Sequence, residues 1–300
     1  MAGELEGRVA LVSGGGRGIG EAIAAVLHRE GAAVVIADSG TGIDGFGADP
    51  GVASAAAAAL GVRAAAFGES VASPSAARAA VDLAIRRFGG IDILVNNAAI
   101  RRDGFGSESD AGDWDAVMRN NLSAAYYLIA AAAPLMREAG KAGRGGGRWG
   151  RIVNIVSTPG LNGDDVPASD ASAKGGLIAL SRRAALVLAP DGITSNAVAP
   201  LASTRASAGI EPASEAEAKL RALALTLPVA PVGRFAAYLA GPAAAGITGQ
   251  LFGVRGGELL LFSEPRPVAR LLCGAGEELA DGVKRELAPH FTPLAGEPLP

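Results

Sequence analysis

The chain is poor in the residues that build cross-links and metal sites. It holds one cysteine, Cys273, so no internal disulfide can form, and a lone thiol suits a reducing compartment. Its two histidines, His28 and His290, are far apart, and no group of Cys and His has metal-ligand spacing. Charge of either sign is modest: 27 Lys and Arg against 30 Asp and Glu give a formal net charge of −3. That balance argues against a nucleic-acid or membrane-surface partner. The longest uncharged apolar run, residues 122–136, is shorter than a bilayer span and is expected to end around Pro134. No cationic segment followed by an apolar stretch opens the chain. The expectation is a soluble, cytoplasmic protein with one domain over residues 1–262 and a C-terminal extension over 263–300.

What is present is apolar sequence in short, regularly spaced blocks. At 49% hydrophobic, the chain can bury one large core. Buried strands are read at 8–13, 33–38, 62–67, 91–95, 152–156, 194–198 and 247–252, with helical patterns between them. Ser73-Pro74 signals a helix start, and residues 113–134 read as one long helix. Mid-helix Asn120 and Asn121 are unfavourable there, so at least one needs a partner. The basic, glycine-rich stretch 139–150 reads as a surface loop, and 201–228 as a partly helical flap. Strand and helix alternate, which gives an α/β, doubly wound parallel sheet of the Rossmann type in a single domain.

Two stretches carry chemistry. Directly after the first strand come Ser13, Gly14, Arg17, Gly18, Ile19 and Gly20, then a helix. Glycines at 14, 18 and 20 permit a tight turn and close approach of backbone N–H groups to a pyrophosphate. Asp38 ends the second strand eighteen residues beyond Gly20, where a carboxylate accepts hydrogen bonds from an adenosine ribose. It repels a 2′-phosphate and so favours NAD over NADP, although Arg17 partly offsets that repulsion. Ser70 and Val71 stand where they could flank an adenine, and Asn97 and Ala98 follow the fourth strand. The second stretch, 151–176, delivers Ser157 to a strand end and then opens a helix bearing Asp170 and Lys174. Four positions apart, those two share a helical face, as a helix-stabilising pair or as part of a reaction centre. Strand ends carrying the glycines, Asp38, Asn97, Ser157 and Pro200 all converge on one cleft.

The motifs Ser13-Gly14-x-x-x-Gly18-Ile19-Gly20, Asn96-Asn97-Ala98-Ala99, Asn121-Leu122, Ile155-Val156-Ser157, Lys174 and Asn196-Ala-Val-Ala-Pro200 resemble the short-chain dehydrogenase/reductase family. They span roughly residues 5–255. Asp38-Ser-Gly, the loop 44–50 and Phe252-Gly-Val-Arg-Gly-Gly-Glu-Leu look like the branch that includes the hydroxyacyl-CoA dehydrogenase unit of peroxisomal multifunctional enzymes. The resemblance implies an NAD(P)H cofactor, a small-molecule substrate and assembly into a homodimer or homotetramer. It implies that Asn121, Ser157 and Lys174 act in catalysis with a tyrosine four residues before the lysine, and that Lys174 also holds the nicotinamide ribose. Position 170 is aspartate instead, and Tyr126, Tyr127 and Tyr238 lie elsewhere in the pattern. Ser13 replaces the usual threonine, and Leu201 replaces the glycine after Pro200.

A carboxylate is a poor proton donor at neutral pH, whereas it stabilises a cation. An iminium carbon needs hydride alone, so reduction of an imine, iminium or dehydrated hemiaminal in a small cyclic amine is the leading expectation. The alternatives are a carbonyl or alcohol oxidoreductase, with Asp170 or a serine–water relay (Ser169, Ser172) in the tyrosine's place, and a catalytically silent dinucleotide binder.

Overall fold

The computed structural model describes residues 3–102, 110–141, 149–158, 167–209, 212, 215–271 and 279–290. The chain divides into two units, Met1–Leu261 and Phe262–Pro300. The first carries the whole sheet, and a short helical segment from Leu279–Gly282 to Ala288–His290 is what is described of regular structure in the second.

Eight strands form one sheet: β1 (Val9–Ser13), β2 (Ala33–Ala37), β3 (Ala64–Phe67), β4 (Ile93–Asn96), β5 (Gly150–Ile155), β6 (Ile193–Leu201), β7 (Leu251–Arg255) and β8 (Glu258–Leu261). Their spatial order is β3-β2-β1-β4-β5-β6-β7-β8. All neighbours are parallel except β7 and β8, which pair antiparallel with Phe252 opposite Leu261. Helices α1 (Gly18–Arg29), α2 (Gly51–Leu60) and α3 (Pro74–Phe88) follow β1, β2 and β3 in turn. After β4 come α4 (Ala111–Met118) and α5 (Ala124–Lys141), and after β5 comes α6 (Ala168–Leu188). The flap holds α7 (Arg205–Ala208) and α8 (Glu215–Thr226), and α9 (Ala230–Ala240) leads towards β7.

Period-two alternation places successive strand residues on opposite faces, and both faces are covered. Ala10, Val12, Val34 and Ile36 pack with Ile23 and Leu27 of α1 and Val232, Ala236 and Leu239 of α9. Val9, Leu11, Val35 and Leu94 pack with Ala77, Ala80 and Ala84 of α3 and Leu128 and Ala132 of α5. Alanine-rich contact faces let α3 and α5 lie close against the sheet. Ser73 caps α3 by accepting from Ala76 N at 3.2 Å, with Pro74 in the first turn.

Four expectations need correction. The helix read as 113–134 is two helices joined by a π-helical turn, Arg119–Ser123, and it does not end at Pro134. Pro134 and Ala130 both face solvent, so water can take the carbonyl that a proline leaves without a donor. The last parallel strand begins at Leu251, not Ile247, because Ile247 N bonds the Ala244 carbonyl in a turn. An eighth, antiparallel edge strand was not anticipated: four mostly exposed residues after Gly256-Gly257 give almost no burial signal. The loop 139–150 is shorter than read, since α5 runs to Lys141 and β5 starts at Gly150; residues 142–148 lie outside the described ones. No single helix among the described residues is long and apolar enough to cross a membrane.

Candidate active site

The strand order reverses between β1 and β4, so their following loops run to opposite sides and leave a crevice at the carboxyl ends. The glycine turn occupies that point. Gly14 and Gly18 have φ of +63° and +59°, a region L side chains avoid. A Cβ on Gly14 would lie 2.9 Å from both Ala98 Cα and Asn97 Nδ2, whereas on Gly18 it would meet only Thr204 Cγ2, at 3.9 Å. The turn is therefore tight against the protein at Gly14 and open at Gly18, as close backbone approach to a pyrophosphate requires. Ile19 packs its side chain onto the core beneath.

Ser13, at the end of β1, locks the turn to β4. Its Oγ donates to Val95 O at 3.3 Å and accepts from Asn97 N at 3.0 Å and Ala98 N at 3.2 Å. Asn97 Nδ2 returns the contact, donating to Ser13 O at 3.1 Å and Gly14 O at 3.0 Å. Asn96 braces the other side through Asn154 Oδ1 at 2.8 Å. Both amides thus tie strand ends, as the sequence suggested. Ser13→Ala leaves two N–H groups without their acceptor, which costs about 1–3 kcal/mol and should lower Tm by roughly 3–8 °C. A melting temperature equal to wild type would show that the hydroxyl bridge is dispensable.

At the end of β2, the Asp38 carboxylate accepts from Gly16 N at 2.9 Å and Gly40 N at 2.8 Å. Those bonds fix the carboxylate beside the glycine turn, where a ribose would lie. Arg17 Nη2 donates to Thr41 O at 2.8 Å. The pair read for the adenine is divided: Val71 is buried in the core, and Ser70 Oγ accepts from Ala72 N at 3.3 Å in a local turn. Pro200 stays within β6 opposite Val254, with Leu201 opposite Arg255.

The catalytic candidates meet on the β4–β5 side of the crevice. Asn121 sits in the π turn, buried, and its amide is saturated. Oδ1 accepts from Ile100 N at 2.8 Å, while Nδ2 donates to Ile100 O at 2.8 Å and to Asp170 Oδ1 at 3.0 Å. Both Nδ2 protons are committed, so Asn121 orients Asp170 directly. Asn120 bonds back to Ala116 O, one turn earlier. Lys174 is buried, and its Nζ donates to Ile155 O at 3.1 Å. Ser157 Oγ is buried without a hydrogen-bond partner. Of the two serines named for a relay, Ser169 is buried and Ser172 faces solvent.

Burial pushes the Lys174 ammonium below its ordinary pKa, and the Asp170 charge pulls it partly back. The charged form is therefore the costly one in the folded chain. Between the lowered folded value and 10.5, the unfolded chain holds a proton the folded chain has released, so stability rises with pH there. The Tm of wild type relative to Lys174→Met should accordingly become more favourable as pH is raised towards that limit. A difference constant across the range would mean Lys174 does not titrate in it.

The glycine turn, a fixed carboxylate at the ribose position, small residues after β4 and a buried lysine all fit a nicotinamide dinucleotide. No group of His, Cys, Asp and Glu among the described residues could hold a metal. Sequence reasoning missed Ile100, whose backbone clamps Asn121, and the contact of Arg205 Nη1 with Thr41 O at 3.1 Å. The first left no side-chain signal. The second left none either, since Thr204 and Ser207 signal only the capping box that opens α7.

Comparison with known proteins agrees with this geometry. A family profile described as "Enoyl-(Acyl carrier protein) reductase" matches residues 14–258. The hydroxyacyl-CoA dehydrogenase ChsB1 of Mycobacterium tuberculosis is 36% identical over 265 residues, covering 87% of this chain and 81% of its own. The 3-oxoacyl-[acyl-carrier-protein] reductase FabG of Vibrio cholerae is 34% identical over 266 residues, 86% of this chain and 99% of its own. A crystal structure of a short chain dehydrogenase from Mycobacterium avium superposes with a TM-score of 0.78 at 31% identity, covering 93% of each chain.

Proposed function

Because the chain belongs to the short-chain dehydrogenase/reductase family of NAD(P)-dependent oxidoreductases, we propose that its reaction is hydride transfer to a C=N carbon, in an imine, iminium or dehydrated hemiaminal of a small cyclic amine. One observation supports this reading: Asn121 Nδ2 donates to Asp170 Oδ1 at 3.0 Å, on the helix that also carries the buried Lys174 four residues on. A carboxylate there stabilises a positive charge beside it.

The dinucleotide, when bound, supplies the hydride from nicotinamide C4. Gly14, Gly18 and Gly20 would admit its pyrophosphate, Asp38 its ribose, and Lys174 the ribose next to the nicotinamide. Ser157 orients the substrate through its free hydroxyl, Asp170 stabilises the iminium charge, and Asn121 keeps Asp170 in place. Hydride adds to the iminium carbon, the C=N π pair becomes the nitrogen lone pair, and a neutral amine leaves with oxidised dinucleotide. An imine enters already protonated by solvent, as its iminium, so no proton is required from the protein. Asp38 favours NADH over NADPH, since its charge opposes a 2′-phosphate. Assembly into a dimer or tetramer is part of the proposal; Trp114 of α4 and Tyr126 of α5 are exposed aromatics on the helices expected to pair.

The direct test uses an N-methylated cyclic iminium salt, whose charge needs no proton on nitrogen, with cofactor deuterated at C4. Deuterium should appear on the former iminium carbon. Dinucleotide binding without any transfer would remove the reading.

A second reading rests on the relatives, which are named for hydroxyacyl and 3-oxoacyl substrates. On it the chain interconverts a carbonyl and an alcohol, and a serine–water relay or Asp170 itself handles the proton. A catalytically silent binder is the least economical reading, because it leaves Ser157, Lys174 and Asn121 without a task.

A further inference from the structure

A cluster of charge outside the catalytic group joins three separated segments of the first unit. Arg17 comes from the glycine turn, Thr41 from the loop after β2, and Arg205 from the first position of α7 at the root of the flap. Arg17 Nη2 and Arg205 Nη1 both donate to the Thr41 carbonyl oxygen, at 2.8 and 3.1 Å. Partial burial and then the Arg17 charge push the Arg205 pKa down, while Asp38 and Asp44 pull it back, so these three charges each act on Arg205. The flap root also approaches the turn itself, since Thr204 Cγ2 is the atom that a Cβ on Gly18 would meet.

Two cations that share one neutral carbonyl are poorly matched. The carbonyl accepts two hydrogen bonds and removes no charge, and Arg17 Nε is buried without a partner. The Asp38 oxygens are engaged by Gly16 N and Gly40 N. A guanidinium presents five N–H donors in a planar fork that fits the oxygens of a phosphoryl group. The place matters as much as the chemistry, because Arg17 is part of the turn expected to receive the dinucleotide.

We propose that Arg205 is a clamp carried by the flap, which takes a phosphoryl group of the dinucleotide jointly with Arg17 and so ties the flap to the glycine turn. This rests on the dinucleotide part of the reading above and is independent of its C=N part. The phosphoryl group is either the pyrophosphate, common to both cofactors, or the 2′-phosphate of NADPH alone.

The test measures dissociation constants of NADH and NADPH for wild type, Arg205→Gln and Arg205→Lys by fluorescence titration, with melting curves on each. Arg205 is exposed, so the variants should melt like wild type. Loss of one charge-assisted contact should weaken binding roughly tenfold or more in Arg205→Gln, with partial recovery in Arg205→Lys. Weakening of both cofactors supports a pyrophosphate clamp, and weakening of NADPH alone supports a 2′-phosphate clamp. Unchanged constants for both cofactors in a folded variant overturn the clamp and leave the C=N reading standing. If wild type binds neither dinucleotide, the clamp and the proposed function fall together.

Discussion

Asp170→Asn should lower kcat/KM for a cyclic iminium by about 100-fold, through weaker binding of the cation, while dinucleotide binding stays unchanged. The substitution is nearly isosteric, and an amide oxygen at the same place still accepts from Asn121 Nδ2, which now spans 3.0 Å to Asp170 Oδ1. Charge is what changes. Two unit charges about 4 Å apart interact by roughly 4 kcal/mol at an effective dielectric near ~20. Asp170 is only half-buried, so water screens part of that, and a loss of ~3 kcal/mol of cation stabilisation corresponds to about 100-fold in kcat/KM. Single-turnover oxidation of bound NADH or NADPH over a series of sub-saturating iminium concentrations, followed by absorbance, measures it. Equal rates for wild type and variant would remove Asp170 from the reaction.

Gly20→Ala should abolish measurable dinucleotide binding. A Cβ at Gly20 would sit 2.0 Å from Gly14 O and 2.6 Å from Asn97 Nδ2. The first of these is backbone, and it cannot swing aside as a long side chain would. Gly14 O also accepts from Asn97 Nδ2, so displacing it breaks the brace between β1 and the end of β4. The turn has to open, and with it the site for the pyrophosphate. A loss above about 100-fold in affinity is expected, because several backbone donors are misplaced together. Calorimetric titration of the purified variant checks it. A variant that binds at wild-type strength would mean the turn is not where the cofactor sits.

How much of this was legible before the structure depends on the kind of signal. The glycine turn was readable because a buried strand, three spaced glycines and a helix start come in one short stretch, and each constrains the others. Asn121 was readable from its cost: an asparagine in mid-helix needs a reason, and the reason is a π turn that aims it at Ile100 and Asp170. Strand β8 was not readable, since an exposed edge strand of four residues after two glycines has neither alternation nor burial to betray it. The continuation of α5 through Pro134 was also hidden, because local propensity registers the proline and not the solvent beside it. Val71 shows a second character in the structure. Its position after β3 suits an adenine, but its side chain is core. Contacts between distant segments, such as Arg205 with Thr41, leave nothing in local sequence to find.

The departures from the family pattern are of different weight. Ser13 keeps the hydroxyl that ties β1 to β4, so the loss of the usual threonine's methyl group leaves that bridge intact. On the proposed reading, Asp170 puts a carboxylate where the family resemblance implies a phenol, and it changes what the site can do.

That change is tested most directly by giving wild-type protein a matched pair of substrates, a cyclic iminium and the ketone of the same carbon skeleton, with NADH and with NADPH. The account predicts turnover of the iminium and none of the ketone, because Asp170 stabilises a cation and gives no proton. Turnover of the ketone at a kcat/KM equal to or above that of the iminium would contradict it.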